Sequence, residues 1–278
     1  MLFLKIENLY NTKMLKINKD FSSPNFDDRP ASGAITHVII HFTEIPFKES
    51  IEILCDSKAK VSSHYIINED GTIYSLISDD KRAWHAGKSY WGGIEALNNC
   101  SIGIELVNSG KEPFNEPIIH ALTSLCGFLK NKYHIKKENF IGHSDVAPDR
   151  KVDPGAFFPW QRLAASGIGM WPGAALQEGR SQKIFGVGDR GVVVEGLQAR
   201  LMRLGYKLEV TGVYDMQTCG VVRAFQAHFC SEDVIKAIGV EKFVEYKKIE
   251  DYPSLNGIYE WTSKCDHILD NLLKSSFL

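Results

Sequence analysis

Apolar and polar positions recur along this chain with two periods, and each change of period marks an element. Residues 35–42, ITHVIIHF, are a near-continuous apolar run rich in β-branched side chains, the pattern of a strand buried on both faces. His41 stands at its C-terminal end. Residues 47–60 suit a helix with Ile51, Leu54 and Cys55 on one face. The runs VSSHYIIN at 61–68 and TIYSLI at 72–77 flank Asp70-Gly71, which predicts a hairpin. Next comes a loop rich in glycine and aromatic residues, RAWHAGKSYWGG at 82–93. SIGIELV at 101–107 alternates: Ile102, Ile104 and Leu106 point one way, Gly103, Glu105 and Val107 the other. Glu105 therefore falls inside a core strand. Residues 116–133 form an amphipathic helix carrying Ile118, Leu122, Leu125, Leu129 and Tyr133. A short apolar run around Ile141 predicts a further strand that delivers His143. Strands mixed with helices in this way predict an α/β or α+β fold, one mixed β-sheet flanked by helices.

The period then lapses. WPGAALQEGRSQ at 171–182 reads as a linker, and residues 1–34 as an extended arm. Beyond the linker, Val194, Leu197, Leu201 and Leu204 mark a helix closed by Gly205. A second helix begins near Asp215 with Val221, Val222, Phe225 and Phe229, and a third near Thr262 with Cys265, Ile268, Leu269 and Leu272. The sequence thus predicts a first domain over 1–172, a linker over 173–186 and a small C-terminal three-helix domain over 187–278. Residues 231–256 read as an insertion, and the echo of Gly212-Val213-Tyr214-Asp215 in Gly257-Ile258-Tyr259-Glu260 marks two helix starts.

Composition narrows the classes. With 44% hydrophobic and 24% charged residues, the 278-residue chain is of the soluble globular type. A net charge of −2, spread evenly over the two halves, gives no support for nucleic-acid binding. No apolar run is long enough to span a bilayer. The opening MLFL is broken by Lys5 and Glu7, so no signal peptide is visible. The six cysteines are scattered without C-x-x-C spacing and read as free thiols.

The chemistry concentrates in FIGHSDVAPDRKVDP, residues 140–154. Pro148 and Pro154 argue against a helix through it, so its polar groups are expected on a loop after a buried strand. Two histidines and an aspartate on strand ends and an adjoining loop suit a catalytic zinc, with the fourth position left to water. The set chosen is His41, His143 and Asp153, although any one of these histidines alone reads equally well as an ordinary core or surface residue. Glu105 is either paired structurally or turned to a cleft as a general base. Lys151 could stabilise an oxyanion beside the metal, or be an exposed loop lysine. Trp84 and His85 could line a substrate groove. His64 reads as a satisfied core histidine and His37 as structural, and His120, His134, His228 and His267 receive no role.

VIIHFTE at 38–44, VSSHYIINEDGTIYSLI at 61–77, RAWHAG at 82–87, SIGIELVN at 101–108 and FIGHSDVAPDRKVDPG at 140–155 follow one another in order. Together they resemble the zinc-dependent N-acetylmuramoyl-L-alanine amidases of the type-2 amidase family, nearest its AmiD branch, which shares its fold with T7 lysozyme and the peptidoglycan recognition proteins. GDRGVVVEGLQARLMRLGY at 188–206 and GVYDMQTCGVVRAFQAHF at 212–229 resemble a type-1 peptidoglycan-binding domain. The resemblance implies one zinc per chain on His41, His143 and Asp153, Glu105 as general base and Lys151 as oxyanion partner. The T7 lysozyme-like members carry a Tyr where this chain has Ser63, a residue the Glu-bearing branch does without. The implied reaction is hydrolysis of the amide between N-acetylmuramic acid and L-alanine in peptidoglycan or its muropeptides. The alternative is a recognition module of the same fold without catalysis. A monomer is expected. The family role argues for the cell envelope and the lack of a visible signal for the cytoplasm; the envelope is the expectation.

Overall fold

The structure, a computed structural model, describes residues 15–31, 33–173, 181–239 and 259–275. The chain's first residues, half of the expected linker at 173–186 and most of the expected insertion lie outside the described residues.

In chain order the elements of the first part are β1 (Ile17–Asn18), β2 (Phe26–Asp28), β3 (His37–Phe42), α1 (Phe47–Leu54), β4 (Tyr65–Ile67), β5 (Ile73–Ser75), β6 (Lys81–Ala83), β7 (Tyr90–Trp91), β8 (Ile94–Glu95), β9 (Ser101–Leu106), α2 (Glu116–Tyr133), β10 (Phe140–Gly142), α3 (His143–Val146) and α4 (Trp160–Ala165). Six strands form one sheet in the order β1-β5-β4-β9-β3-β10. Only the β4–β5 hairpin is antiparallel; the other four pairings are parallel. The mixed sheet expected from the alternating strands and helices is therefore present.

The two faces of the sheet differ. Ile102, Ile104 and Leu106 of β9 join Val38 and Ile40 of β3 in a large core under α2. The helix is anchored there because Ile118, Leu122, Leu125 and Leu129 recur at helical spacing and are all buried. Asn115 caps its N-terminus, accepting from the Ile118 N–H. The opposite face carries a smaller cluster of Ile51 and Leu54 from α1 with Ile66, Val107 and Leu76. That cluster covers only part of the face, and the uncovered part holds the polar residues.

Three local expectations change. Helix α1 stops at Leu54 rather than 60 because the N-terminal arm takes its last carbonyls: Ser23 Oγ donates to Leu54 O, and Asn25 Nδ2 to Asp56 O at 2.8 Å. The arm is not merely a lead-in, since β1 adds an edge strand beside β5 and β2 pairs with β6. The segment after β10 is not wholly irregular, because one helical turn, α3, fits ahead of Pro148.

The C-terminal part comprises β11 (Lys183–Phe185), α5 (Val192–Leu204), α6 (Met216–Phe229), α7 (Ser231–Ile238), β12 (Trp261–Thr262) and α8 (Ser263–Ser275), with β11 and β12 paired antiparallel. Helices α5, α6 and α8 match the three expected, and α7 occupies the start of the expected insertion. Asp215 caps α6 by accepting from the Thr218 N–H at 2.8 Å. Every residue of α6 from Thr218 to Phe229 is buried. A helix buried all round needs neighbours all round: α5 and α8 lie on one side, the first part on the other. One continuous core runs through both parts. Among the described residues the six cysteines are free thiols.

Candidate metal centre

Register places the site. Parallel β3 and β9 set His41 against Glu105 and Ile39 against Gly103, so all four residues lie on the partly covered face. A Cβ on Gly103 would stand 2.5 Å from Cγ of His85; the glycine makes the room into which that ring packs. Strand β10 runs beside β3 and ends at Gly142, which brings His143 level with His41. Ser144 N–H donates to Asp153 O at 2.8 Å, folding the loop back so that Asp153 meets both histidines.

His41 Nδ1, His143 Nδ1 and Asp153 Oδ2 stand 3.0 Å from one another in all three pairs, and all three residues are buried. Ligands of a tetrahedral zinc stand about 3.3 Å apart. The far ring nitrogens decide what this triangle holds. His143 Nε2 faces Ala86 O at 3.3 Å, an acceptor only, so Nε2 carries the proton and Nδ1 is a bare lone pair. His41 Nε2 lies 3.0 Å from His85 Nδ1, and His85 Nε2 lies 3.2 Å from Ser101 Oγ. Donation outward along that series leaves His41 Nδ1 bare as well. In that tautomer two ring lone pairs and a carboxylate oxygen converge, a donor set that suits a cation.

Burial lowers the pKa of His41 to about 4, the neighbouring His143 adding to the effect, so its ring is neutral at pH 7. Burial opposes ionisation of Asp153, yet His143 and His41 together hold its carboxyl well below the usual carboxylate range. Glu105 goes the other way: burial, with the Asp153 charge adding and Lys151 opposing, raises its pKa well above the ordinary carboxylate value. Its Oε2 is buried without a hydrogen-bond partner.

All seven residues singled out from the sequence border one cavity of about 210 Å³: His41, Trp84, His85, Glu105, His143, Lys151 and Asp153. His85 does more than line it, since its buried ring packs edge-on to His41 with centroids 5.1 Å apart. His64 is fully buried and satisfied, Nδ1 accepting from Gly103 N–H at 3.0 Å and Nε2 donating to Lys81 O at 3.1 Å. Arg29 carries no signal in the sequence; its guanidinium donates to the carbonyls of Asp79, Asn98, Asn99 and Ser101 and ties the arm to the start of β9. Asp145 and His228, whose buried side chains meet at 2.8 Å, are equally silent in the sequence. No periodicity signals either.

Residues 31–156 match the N-acetylmuramoyl-L-alanine amidase family, and residues 190–232 match a family of peptidoglycan binding domains. The N-acetylmuramoyl-L-alanine amidase AmiD of Escherichia coli is 38% identical over 213 residues, 69% of this chain and 74% of AmiD. The chain belongs to the N-acetylmuramoyl-L-alanine amidase family. Another family member, the 1,6-anhydro-N-acetylmuramyl-L-alanine amidase AmpD of Haemophilus influenzae, is 32% identical over 167 residues, 53% of this chain and 91% of AmpD. Among solved structures, Escherichia coli AmiD in complex with the substrate anhydro-N-acetylmuramic acid-L-Ala-D-γ-Glu-L-Lys superposes with a TM-score of 0.67 at 34% identity, covering 89% of this chain and 93% of that one. AMPDH3 from Pseudomonas aeruginosa in complex with anhydromuramic pentapeptide gives 0.62 at 28% identity, covering 84% and 99%. The likeness to the AmiD and AMPDH3 structures thus runs into the C-terminal part, while AmpD matches about half of this amidase. The family is zinc-dependent in general, and in this amidase the three converging donors fit that metal.

Proposed function

We propose that the protein hydrolyses the amide bond between N-acetylmuramic acid and L-alanine in peptidoglycan or its anhydromuropeptide fragments. The observation that carries this reading is one cavity bordered both by the converging groups of His41, His143 and Asp153 and by a carboxyl of raised pKa whose Oε2 has no partner. His41, His143 and Asp153 hold one zinc. When bound, the metal supplies Lewis-acid polarisation and a water acidified to about neutrality.

The chain's own groups do the rest. Glu105 Oε2 accepts the proton of the attacking water, for which a raised pKa suits it. It then returns a proton to the leaving nitrogen of L-alanine. Lys151 places its ammonium beside the oxygen that gains charge. The His85 ring keeps His41 in the orientation that turns Nδ1 inward. Trp84 and His85 form the wall against which the substrate lies.

Mass spectrometry of muropeptides incubated with the wild type, with and without chelator, and with Glu105→Ala tests the reading. Zinc-dependent release of free stem peptide, lost in Glu105→Ala, is expected. Retention of muropeptide without cleavage would turn the reading to a recognition module, and cleavage within the stem peptide would overturn the named bond.

The proposed workplace is the cell envelope, where intact peptidoglycan lies, and the proposed working unit is a monomer. No helix among the described residues is long and apolar enough to cross a membrane. Fractionation of cells carrying a tagged chain checks the location; a purely cytoplasmic signal would point to turnover of soluble fragments. The domain boundaries at 172 and 187 are proposed with it, and limited proteolysis between them is the check.

A further inference from the structure

The segment between the ligands His143 and Asp153 is held only in part by its own hydrogen bonds, Ser144 N–H to Asp153 O and the N–H groups of Arg150 and Lys151 to Ala147 O. Pro148 interrupts its helical turn, so carbonyls beyond the turn have no helical partner. Residues of the C-terminal part supply what is missing. Arg223 on α6 is only 1% exposed, and its Nη2 donates to Pro148 O at 2.8 Å and to Lys151 O at 3.2 Å. A guanidinium so far from water is costly unless its donors are used.

Two more buried donors converge on Asp145, two residues beyond His143. Tyr206 O–H donates to Asp145 Oδ1 at 2.7 Å, and His228 Nδ1 donates to Oδ2 at 2.8 Å. Gly142 N–H shares Oδ2 at 2.9 Å, so this carboxylate ties the strand end before His143 to the second domain. The His228 ring is locked in turn, stacked on Trp160 with centroids 3.8 Å apart and planes 14° apart.

We propose that Tyr206, Arg223 and His228 are positioning residues for the metal-ligand segment, so that the C-terminal domain is part of the catalytic unit. The inference rests on the reading of His143 and Asp153 as zinc ligands. Arg223 fixes the backbone of Lys151 and, two residues on, the approach of Asp153. Tyr206 and His228 fix the turn that opens with His143.

The test uses the full-length protein with Arg223→Met, Arg223→Lys and Tyr206→Phe. Amide hydrogen exchange is measured on the metal-free proteins, zinc affinity by competition with a colorimetric chelator, and kcat and KM on muropeptide. Arg223→Met is expected to speed exchange within residues 142–153 alone and to weaken zinc binding 10- to 100-fold. It is expected to lower kcat with KM unchanged within about twofold. Arg223→Lys, which keeps one charged donor, is expected to recover part of the zinc affinity. Should Arg223→Met not fold, Tyr206→Phe, which removes a single oxygen, carries the same readouts with smaller changes.

A folded variant with wild-type zinc affinity and unchanged exchange in 142–153 overturns the proposal. So does loosening spread evenly over the chain with zinc affinity intact, the mark of a merely structural role. Failure of the wild type to bind zinc would sink the amidase reading instead. The exchange data would then still decide the brace, local loosening supporting it and its absence overturning it.

Discussion

Two buried polar clusters lie either side of the 142–153 segment, and they are built on opposite rules. On one side, His41 Nδ1, His143 Nδ1 and Asp153 Oδ2 converge at 3.0 Å. On the other, Asp145 takes donors from Gly142, Tyr206 and His228, and Arg223 spends its donors on carbonyls. The first brings together groups that suit a cation; the second meets the Asp145 carboxylate with donors, leaving His228 Nε2 as its one printed buried atom without a hydrogen-bond partner. Burial alone therefore does not separate a reactive centre from a scaffold, whereas the balance of donors and acceptors does.

The largest effects should come from the side that suits a cation. Asp153→Ala or His143→Ala should abolish stoichiometric zinc, measured by atomic absorption on the dialysed protein, and reduce muropeptide cleavage to background. Retained zinc in either variant would place the metal elsewhere. Glu105→Gln should keep the metal and lose about 10²- to 10⁴-fold in kcat. A near-wild-type rate would remove Glu105 from the mechanism.

His64 probes a matched histidine on the metal side. Its folded-state pKa is lowered by burial from 6.5 to about 4. As pH falls below 6.5 the unfolded chain takes up a proton that the folded ring refuses. The stability due to the neutral ring is therefore full above pH 6.5 and is lost towards pH 4, levelling at about 3 kcal/mol. Chemical denaturation of chelator-treated wild type and His64→Gln over that range should show the steeper decline in the wild type. Parallel curves would mean the ring charges without penalty.

On the matched side, Tyr206→Phe leaves a buried carboxylate oxygen one donor short and should cost about 1–3 kcal/mol in thermal or chemical unfolding. At the rim of the same domain interface, Lys207 and Glu95 pair at 2.7 Å in full exposure. Glu95→Gln should leave the melting temperature unchanged, because solvent screens such a pair. A larger loss from the rim than from the core would invert the comparison.

Sequence and tertiary structure divide the account of this protein cleanly. The strand at 37–42, the alternation at 101–106 and the helices from 116, 192, 216 and 263 were legible because burial on one or two faces writes a period into the chain. That same alternation put Glu105 on the face opposite Ile102, Ile104 and Leu106. Residue type and motif order singled out His41, His143, Asp153, Glu105 and Lys151, since few side chains can ligate zinc or move a proton. Periodicity says nothing about partners far apart in sequence. That His85 backs His41, that the arm meets the end of α1, and that Tyr206, Arg223 and His228 reach the 142–153 segment were decided only when the elements packed. Hydrogen bonds span 61 residues from Asp145 to Tyr206 and 83 to His228, and each depends on two directed groups meeting within about 3 Å, a coincidence no local pattern encodes.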